Sequence, residues 1–166
     1  MSRIGLYFGS FNPVHNGHLA IAEYMLKYAP IDELWFVLSP QNPLKNPEEL
    51  WSNEKRFELL KTAITGHSKM SISTIEWDMP KPSYTIDTLK KLSKIFPNVE
   101  FSILMGADNL EHIERWKSFE EILNHYKIFV YPRPNAVENQ HFQHSNITVF
   151  DAPLMDISST QIRETQ

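Results

Sequence analysis

Short apolar segments alternate with segments of helical periodicity along nearly the whole chain, and this alternation restricts the fold more than any other feature. Strands are predicted at residues 3–8, 33–39, 70–77, 99–105, 126–131 and 147–150. Helices are predicted at residues 15–28, 53–65, 85–96 and 118 to about 124, with a last one beginning at Ser158. Strands joined through helices form right-handed βαβ units, so the strands should be mostly parallel.

The predicted fold is an α/β, Rossmann-like three-layer sandwich with a mostly parallel sheet of five to six strands and helices on both faces. The 166 residues are about one domain's worth, and 42% of them are apolar, as in ordinary globular proteins. We therefore expect a single domain over residues 1–166. Ligands of such sheets bind beyond the carboxyl ends of the strands, where the strand order reverses.

Composition excludes several classes of protein. Without cysteine the chain has no disulfide framework or thiol nucleophile, and its net charge of −4 argues against bulk nucleic-acid binding. The longest apolar stretches are far shorter than the ~20 residues that a bilayer requires, so we expect no membrane span. The first residues lack the layout of a secretory signal, which predicts a cytoplasmic protein. The oligomeric state stays open, a homo-oligomer included.

The segment after the first predicted strand combines small residues with two histidines. Gly9 and Ser10 allow a ligand close to the strand exit, and Pro13 fixes the turn. His15 and His18 are three residues apart, so they share one face of the first helical turn, beside free backbone amides that attract anions. A capped helix with two incidental histidines would explain HxxH alone, but the glycine-rich strand exit favours phosphate chemistry.

Two further segments have features of a nucleotide site. Gly106 and Asp108 follow the predicted strand at 99–105, where a carboxylate suits ribose hydroxyls, although a helix-capping Asp is the simpler reading. Near the end of the chain, hydroxyl groups at a predicted helix start and an arginine one turn later form a second anion-binding pattern. If this pattern stood alone, a plain helix cap with a solvated arginine would be the better explanation. Its residues are Ile157, Ser158, Ser159, Thr160 and Arg163.

Three other segments would form the walls of the cleft. Lys45 ends a proline-containing loop and could meet a ligand, but a lysine that is simply exposed to solvent explains it equally well. A helix starts at Ser83–Thr85 and presents backbone amides, and Trp116 precedes a capping-box pattern of Ser118 with Glu121. An exposed indole beside helix N-termini could stack a flat ring, although tryptophan is more often a core residue.

These motifs resemble the nucleotidylyltransferase superfamily, whose signature is a glycine-rich strand exit followed by HxGH or TxGH. The HIGH motif of class I aminoacyl-tRNA synthetases is similar, but a synthetase is unexpected at this length. The combination is most similar to the bacterial nicotinate-nucleotide adenylyltransferases. The segments that carry the resemblance span nearly the whole chain: GSFNPVHNGH at 9–18, PQNPLK at 40–45, SYTIDT at 83–88, GADN at 106–109, YPRP at 131–134 and ISSTQIR at 157–163.

The resemblance implies that ATP and nicotinic acid mononucleotide are joined to give deamido-NAD and pyrophosphate, with Mg²⁺ as the cofactor bridging phosphates and no metal ligand among the protein side chains. His15, His18 and Arg163 would be the catalytic residues. The implied ATP site also includes Gly9, Ser10, Phe11, Gly106, Asp108, Ile157, Ser158, Ser159 and Thr160. The implied mononucleotide site comprises Asn12, Lys45, Ser83, Tyr84, Thr85, Trp116, Lys117 and Arg133.

The sequence departs from the family pattern at a few positions. Asn12 replaces a commoner aspartate, Asn135 stands where glycine is frequent, and Lys117 stands where an aromatic residue is frequent. The sequence ends at Gln166, three residues after Arg163, so the final helix is expected to be short.

Three other functions compete with this interpretation. A sister enzyme would use nicotinamide mononucleotide, phosphopantetheine or glycerol phosphate; HxGH argues against phosphopantetheine, and Tyr84, Thr85 and Trp116 favour a pyridine ring. A nucleotide-binding module without catalysis fits the short C-terminus but not the retained histidines. A dinucleotide oxidoreductase lacks its GxGxxG motif and is set aside.

Overall fold

The computed structural model describes residues 1–40 and 50–152, which contain a six-stranded sheet and five α-helices. The strands are β1 (Ser2–Gly9), β2 (Glu33–Leu38), β3 (Met70–Ser73), β4 (Val99–Gly106), β5 (Lys127–Tyr131) and β6 (Ile147–Val149). The helices are α1 (Asn16–Tyr28), α2 (Asn53–Ala63), α3 (Thr85–Ile95), α4 (Ala107–Glu111) and α5 (Phe119–His125). Short 3₁₀ turns occur at Ile75–Asp78, Ile113–Arg115 and Gln140–Gln143.

Every neighbouring pair of strands in this sheet is parallel, and the strand order is β3-β2-β1-β4-β5-β6. The chain moves outward from β1 to β3 and then returns to place β4 on the other side of β1. The order therefore reverses between β1 and β4, and the carboxyl ends of these two strands form the crevice where such sheets bind ligands. This confirms the predicted Rossmann-like fold.

The sheet is covered on both faces, as predicted. One apolar cluster contains Ile21 and Met25 of α1 and Leu60 of α2. The other contains Leu89 of α3 and Ile122 of α5, together with buried residues of α4. Strands buried on both faces are nearly continuously apolar, which explains runs such as residues 34–38.

Three details differ from the sequence predictions. The strand predicted at 70–77 stops at Ser73, because residues Ile75–Asp78 form a 3₁₀ turn that buries Glu76. The capping box predicted at Ser118 is absent, since Ser118 has a left-handed backbone with φ 54° and its side chain caps no helix N–H. No helix is predicted between the strands at 126–131 and 147–150, whereas the structure has the 3₁₀ turn Gln140–Gln143 there, which begins after a side-chain cap by Asn139.

Across residues 1–40 and 50–152, none of the helices is both long enough and apolar enough to span a membrane.

Candidate active site

The turn after β1 is shaped by Phe11, which the sequence predicted at the ATP site. Its φ is 43°, in the left-handed region that side chains rarely adopt, and its ring is only 3% exposed. The ring lies beneath the strand exit, where a Cβ at Gly9 would approach it to 3.0 Å. It also meets the ring of His18 edge to face at 5.0 Å between centroids. Phe11 therefore anchors the turn in the core, and only its backbone remains for a ligand.

His15 and His18 cap the start of α1 reciprocally. The Gly17 N–H donates to Nδ1 of His15 at 3.1 Å, and the His15 N–H donates to Nδ1 of His18 at 3.1 Å. The two rings stack with centroids 3.7 Å apart. Because each Nδ1 accepts a hydrogen bond, each neutral ring carries its proton on Nε2. The capping contacts thus prepare two N–H donors at one helix N-terminus.

Both imidazoles are neutral at physiological pH. Burial, followed by the positive charges that His15 and Arg133 can carry, lowers the pKa of His18 to about 3. The pKa of His15 is also lowered, first by burial and then by Arg133. The free site therefore offers an anion uncharged donors from the histidines and a cation from Arg133.

The lowered pKa of His18 predicts how stability depends on pH. As pH falls below about 6.5 the unfolded chain binds a proton at this ring, whereas the folded protein does so only near pH 3, so acid favours unfolding. Between pH 7 and 4.5 this linkage should remove about 2–3 kcal/mol from the free energy of unfolding. Chemical denaturation of wild type and His18→Asn at both pH values measures it, because most carboxylates contribute equally to both proteins. A difference between the two proteins that does not change with pH would contradict this expectation.

The ends of β4 and β5 bring Asp108 and Arg133 together beside the histidines. Nε of Arg133 lies 4.0 Å from Oδ1 of Asp108, and both side chains are partly exposed. They lie over Gly106, where an added Cβ would come within 2.5 Å of the Asp108 carboxylate and 2.8 Å of the Arg133 side chain. Asp108 was predicted at the ATP site and Arg133 at the mononucleotide site. The structure places them side by side.

A buried tyrosine lies below this group and was missed by the sequence analysis. The Tyr7 hydroxyl is buried and has no hydrogen-bond partner within the described residues. Its ring lies 6.2 Å from that of His18 and 5.8 Å from that of Tyr131, measured between centroids. Burial, followed by the proximity of Tyr131, raises the pKa of Tyr7 well above its usual value, so the hydroxyl stays protonated.

The other half of the crevice is a cavity of about 230 Å³ between the ends of β1 and β2 and the start of α3. Two predicted mononucleotide residues, Ser83 and Thr85, line it together with Ser10. Tyr84 precedes α3 and makes no side-chain cap, so the first N–H groups of the helix lack that partner. Such a helix start favours a negatively charged group.

Glu76 accepts hydrogen bonds from residues at the start of α3, and the sequence analysis did not predict it as a site residue. Its side chain is 4% exposed and lines the cavity. The Thr88 hydroxyl donates to one carboxylate oxygen at 2.7 Å, and the Ser83 hydroxyl donates to the other at 3.3 Å. Lys81, also at the cavity, donates to the backbone carbonyls of Trp77 and Met79, each at 2.9 Å.

Trp116 and Lys117 form the edge of this wall. Trp116 is half-buried and packs against the apolar cluster of α3 and α5. Nζ of Lys117 lies 3.0 Å from Oδ2 of Asp87 and 4.9 Å from the centroid of the exposed Tyr84 ring. A cation therefore lies over the tyrosine where the family pattern has a second aromatic residue.

Of the remaining predicted site residues, the structure describes Asn12 and does not describe the others. Asn12 is 4% exposed, and its Oδ1 accepts a hydrogen bond from the Trp51 N–H at 2.9 Å. Lys45 and the segment with Ile157, Ser158, Ser159, Thr160 and Arg163 lie outside the described residues. The predicted residues that the structure places at the strand ends and the cavity are Gly9, Ser10, Phe11, His15, His18, Ser83, Thr85, Gly106, Asp108 and Arg133. Tyr84 and Lys117 lie beside the start of α3, and Trp116 packs against the apolar cluster next to them.

The side chains of the crevice offer few donor atoms to a metal ion. Residues 1–40 and 50–152 contain no group of three or more His, Asp or Glu side chains that could hold a metal ion. In the crevice, each histidine Nδ1 already accepts a hydrogen bond and each Nε2 is protonated, so neither ring offers a lone pair to a cation. The Asp108 carboxylate lies beside Arg133, with 4.0 Å between its Oδ1 and the arginine Nε. This arrangement fits a cation that is carried by the ligand's own phosphates.

Comparison with known proteins identifies the family. The cytidylyltransferase-like family model matches residues 6–165. A probable nicotinate-nucleotide adenylyltransferase of Cytophaga hutchinsonii is 45% identical over 161 residues, which are 97% of this chain and 84% of that protein. The protein of the same name from Azobacteroides pseudotrichonymphae is 48% identical over 163 residues, 98% of this chain and 85% of that one.

Solved structures agree with this fold. A nicotinic acid mononucleotide adenylyltransferase of Plasmodium falciparum, in complex with NaAD, matches with a TM-score of 0.84 at 20% identity, covering 99% of this chain and 83% of that one. A second structure of that protein, complexed with APC, gives a TM-score of 0.83 with the same coverage. The chain therefore belongs to the cytidylyltransferase-like superfamily, and within it to the nicotinate-nucleotide adenylyltransferases, which are nucleotidyltransferases.

Proposed function

We propose that this chain joins ATP and nicotinic acid mononucleotide to give deamido-NAD and pyrophosphate. The observation that carries the proposal is the reciprocal cap of His15 and His18, which holds two Nε2–H donors at one helix start beside Arg133. A transfer between two anions needs charge neutralisation and alignment more than a protein nucleophile. The crevice supplies those two requirements.

In the proposed reaction an oxygen of the mononucleotide phosphate attacks the α-phosphorus of ATP directly. A new P–O bond forms, the bond from the α-phosphorus to the bridging oxygen breaks, and pyrophosphate leaves with the electron pair. His15 and His18 donate from Nε2 to the phosphates, and these hydrogen bonds strengthen as charge develops on the transferring and leaving groups. No covalent intermediate on the protein is required.

The remaining ATP contacts follow from the two strand ends. We assign the phosphates to the backbone at Gly9, Ser10 and Phe11, since the ring of Phe11 is buried. We assign the ribose to Gly106 and Asp108, whose carboxylate is partly exposed and can accept from hydroxyl groups. The family motif assigns the β- and γ-phosphates to Ile157, Ser158, Ser159, Thr160 and Arg163.

The mononucleotide would occupy the half of the crevice next to α3. The N–H groups at Tyr84 and Thr85 belong to a helix start without a side-chain cap and would suit the nicotinate carboxylate, with Ser83 beside them and Trp116 against the ring. Lys117 adds a cation at this edge. We assign the mononucleotide phosphate to Arg133 and Lys45, and the support of the adjoining turn to the buried Asn12.

Mg²⁺ would enter with ATP and would neutralise part of the charge on its phosphates. Asp108 is the crevice carboxylate that would help to hold it. Since ATP and the mononucleotide are intracellular metabolites, the proposal includes a cytoplasmic location. It requires no nucleic-acid partner and no membrane, and it is compatible with a homo-oligomer.

A pyrophosphate-release assay tests the proposed function. With Mg²⁺ present, ATP and CTP are each combined with the nicotinate mononucleotide, the nicotinamide mononucleotide and phosphopantetheine. We expect the highest kcat/KM with ATP and the nicotinate mononucleotide, because the α3 helix start and Lys117 favour an anionic ring substituent. Chelation of the divalent cation should abolish turnover. A preference for another acceptor would identify a sister enzyme, and no turnover with any pair would identify a nucleotide-binding module.

A further inference from the structure

Arg56 on α2 is a fully buried cation that the proposed reaction does not use. Its side chain has 0% exposure, and the other fully buried side chain of α2 is the apolar Leu60. Nη1 donates to the carbonyl oxygens of Ser10 and Ser39, each at 2.7 Å. Nε donates to the Trp51 carbonyl at 2.9 Å, and Nη2 donates to Oδ1 of Asn53 at 2.7 Å.

This guanidinium has no ion-pair partner among the described residues, and the four hydrogen bonds given above all go to neutral oxygens. Arginine stays protonated inside proteins, so the positive charge itself is buried, and burial lowers its pKa while Glu54 partly opposes that shift. Burying a cation without an anion is costly unless hydrogen bonds replace its hydration. Stability alone is a poor reason for this residue at a position facing the core.

The carbonyls that Arg56 binds lie at the entrance of the site. Ser10 follows β1, Ser39 follows β2, and both line the 230 Å³ cavity. One nitrogen joins these two strand exits, so it fixes the width of the crevice at this point. The Trp51 carbonyl completes the set, and the N–H of the same residue donates to Asn12. These hydrogen bonds therefore hold residues 10–12 from both ends, at the Ser10 carbonyl and at the Asn12 side chain.

The backbone of the turn at residues 10–12 is strained. Phe11 has a φ of 43°, a conformation that a bulky residue keeps only when its surroundings enforce it. The Ser10 carbonyl belongs to the peptide unit that leads into Phe11, so the hydrogen bond from Arg56 holds one side of the strained backbone. The ring of Phe11 in the core holds the other side.

We propose that Arg56 is a positioning residue for catalysis: it fixes the backbone of residues 10–12 in the conformation that binds the phosphates of ATP. It does so through the Ser10, Ser39 and Trp51 carbonyls and does not itself contact the substrate. This inference rests on the proposed function, because it assumes that ATP binds at this turn.

Three variants test the inference, with Lys61→Gln on the exposed face of the same helix as the control. Arg56→Lys keeps the charge but loses the planar fork, and Arg56→Gln keeps two donors without the charge. Asn53→Ala removes one contact of the guanidinium while leaving the buried cation and its three carbonyls in place. We expect the KM for ATP to rise about tenfold in Arg56→Lys, more in Arg56→Gln and severalfold in Asn53→Ala, with no change in Lys61→Gln.

The KM distinguishes positioning from a purely structural role, because loss of folded protein lowers the apparent kcat and leaves the KM of the surviving enzyme unchanged. Calorimetric titration of ATP into each folded variant gives the same comparison without turnover. If wild type binds ATP and turns over while every folded variant keeps the wild-type KM and affinity, the inference is wrong and the proposed function stands. If wild type shows no turnover with any acceptor, the proposed function is wrong, and the inference about Arg56 is wrong with it.

Discussion

His18→Asn should lower the turnover number by about 10²–10³-fold while the protein stays folded. The Asn Oδ1 occupies nearly the position of Nδ1, so it can still accept the His15 N–H that caps α1. What the variant loses is the Nε2–H donor, which an asparagine side chain is too short to replace. Activity and fold therefore separate in this substitution, and pyrophosphate release with circular dichroism measures both.

His18→Gln is the matched partner of that variant. A glutamine amide reaches approximately the position of Nε2 and can donate there, but its oxygen does not match the Nδ1 that caps the helix. We expect turnover to be highest in wild type, lower in His18→Gln and lowest in His18→Asn. We expect the opposite order for the stability of the two variants, with His18→Asn more stable than His18→Gln. Near-normal pyrophosphate release in His18→Asn would exclude His18 from the reaction. The same order in both measurements would mean that the cap, and not the donor, matters.

The fold and the centre of the site could be predicted because local sequence patterns encode them. Apolar strands fix the sheet, and parallel strands bring every strand end to one edge. His15 and His18 follow β1 and Asp108 follows β4, so their residue types and positions pointed to the crevice. The reversal of strand order between β1 and β4 places these two segments side by side.

Arg56 and Glu76 could not be found in this way, because burial by distant parts of the chain gives them their importance. In the helix at 53–63, arginine stands among charged residues that belong to a solvated face. A weak signal was present, since Arg56 lies one turn before the core residue Leu60 and shares its face. Glu76 sits in a segment whose apolar neighbours predicted a strand, whereas the 3₁₀ turn directs its carboxylate to Thr88 and Ser83.

Gly106→Ala is expected to lower kcat/KM by about 10²-fold with little change in the melting temperature. The backbone tolerates alanine there, since φ of Gly106 is −76°. The new Cβ, however, would lie 2.5 Å from the Asp108 carboxylate and 2.8 Å from Cγ of Arg133, so both side chains must move. Both are partly exposed and can move, and the buried Tyr131 ring, whose Cε2 would lie 3.1 Å from the new Cβ, must give by only a few tenths of an ångström. A shift of about 1 Å at a substrate-binding group is nevertheless enough for such a loss.

Gly66→Ala is the matched control, because Gly66 has free space around its Cβ position and an unfavourable φ, whereas Gly106 has a crowded Cβ position and an ordinary φ. A Cβ at Gly66 has nothing within 4 Å, while its φ of 88° makes the backbone unfavourable for alanine. That variant should lose about 1 kcal/mol of stability and keep its kinetic constants. Steady-state kinetics and thermal unfolding of both variants separate crowding from backbone strain. Wild-type kinetics in Gly106→Ala would mean that Asp108 and Arg133 can leave their places over this glycine without cost, and that neither one aligns a substrate.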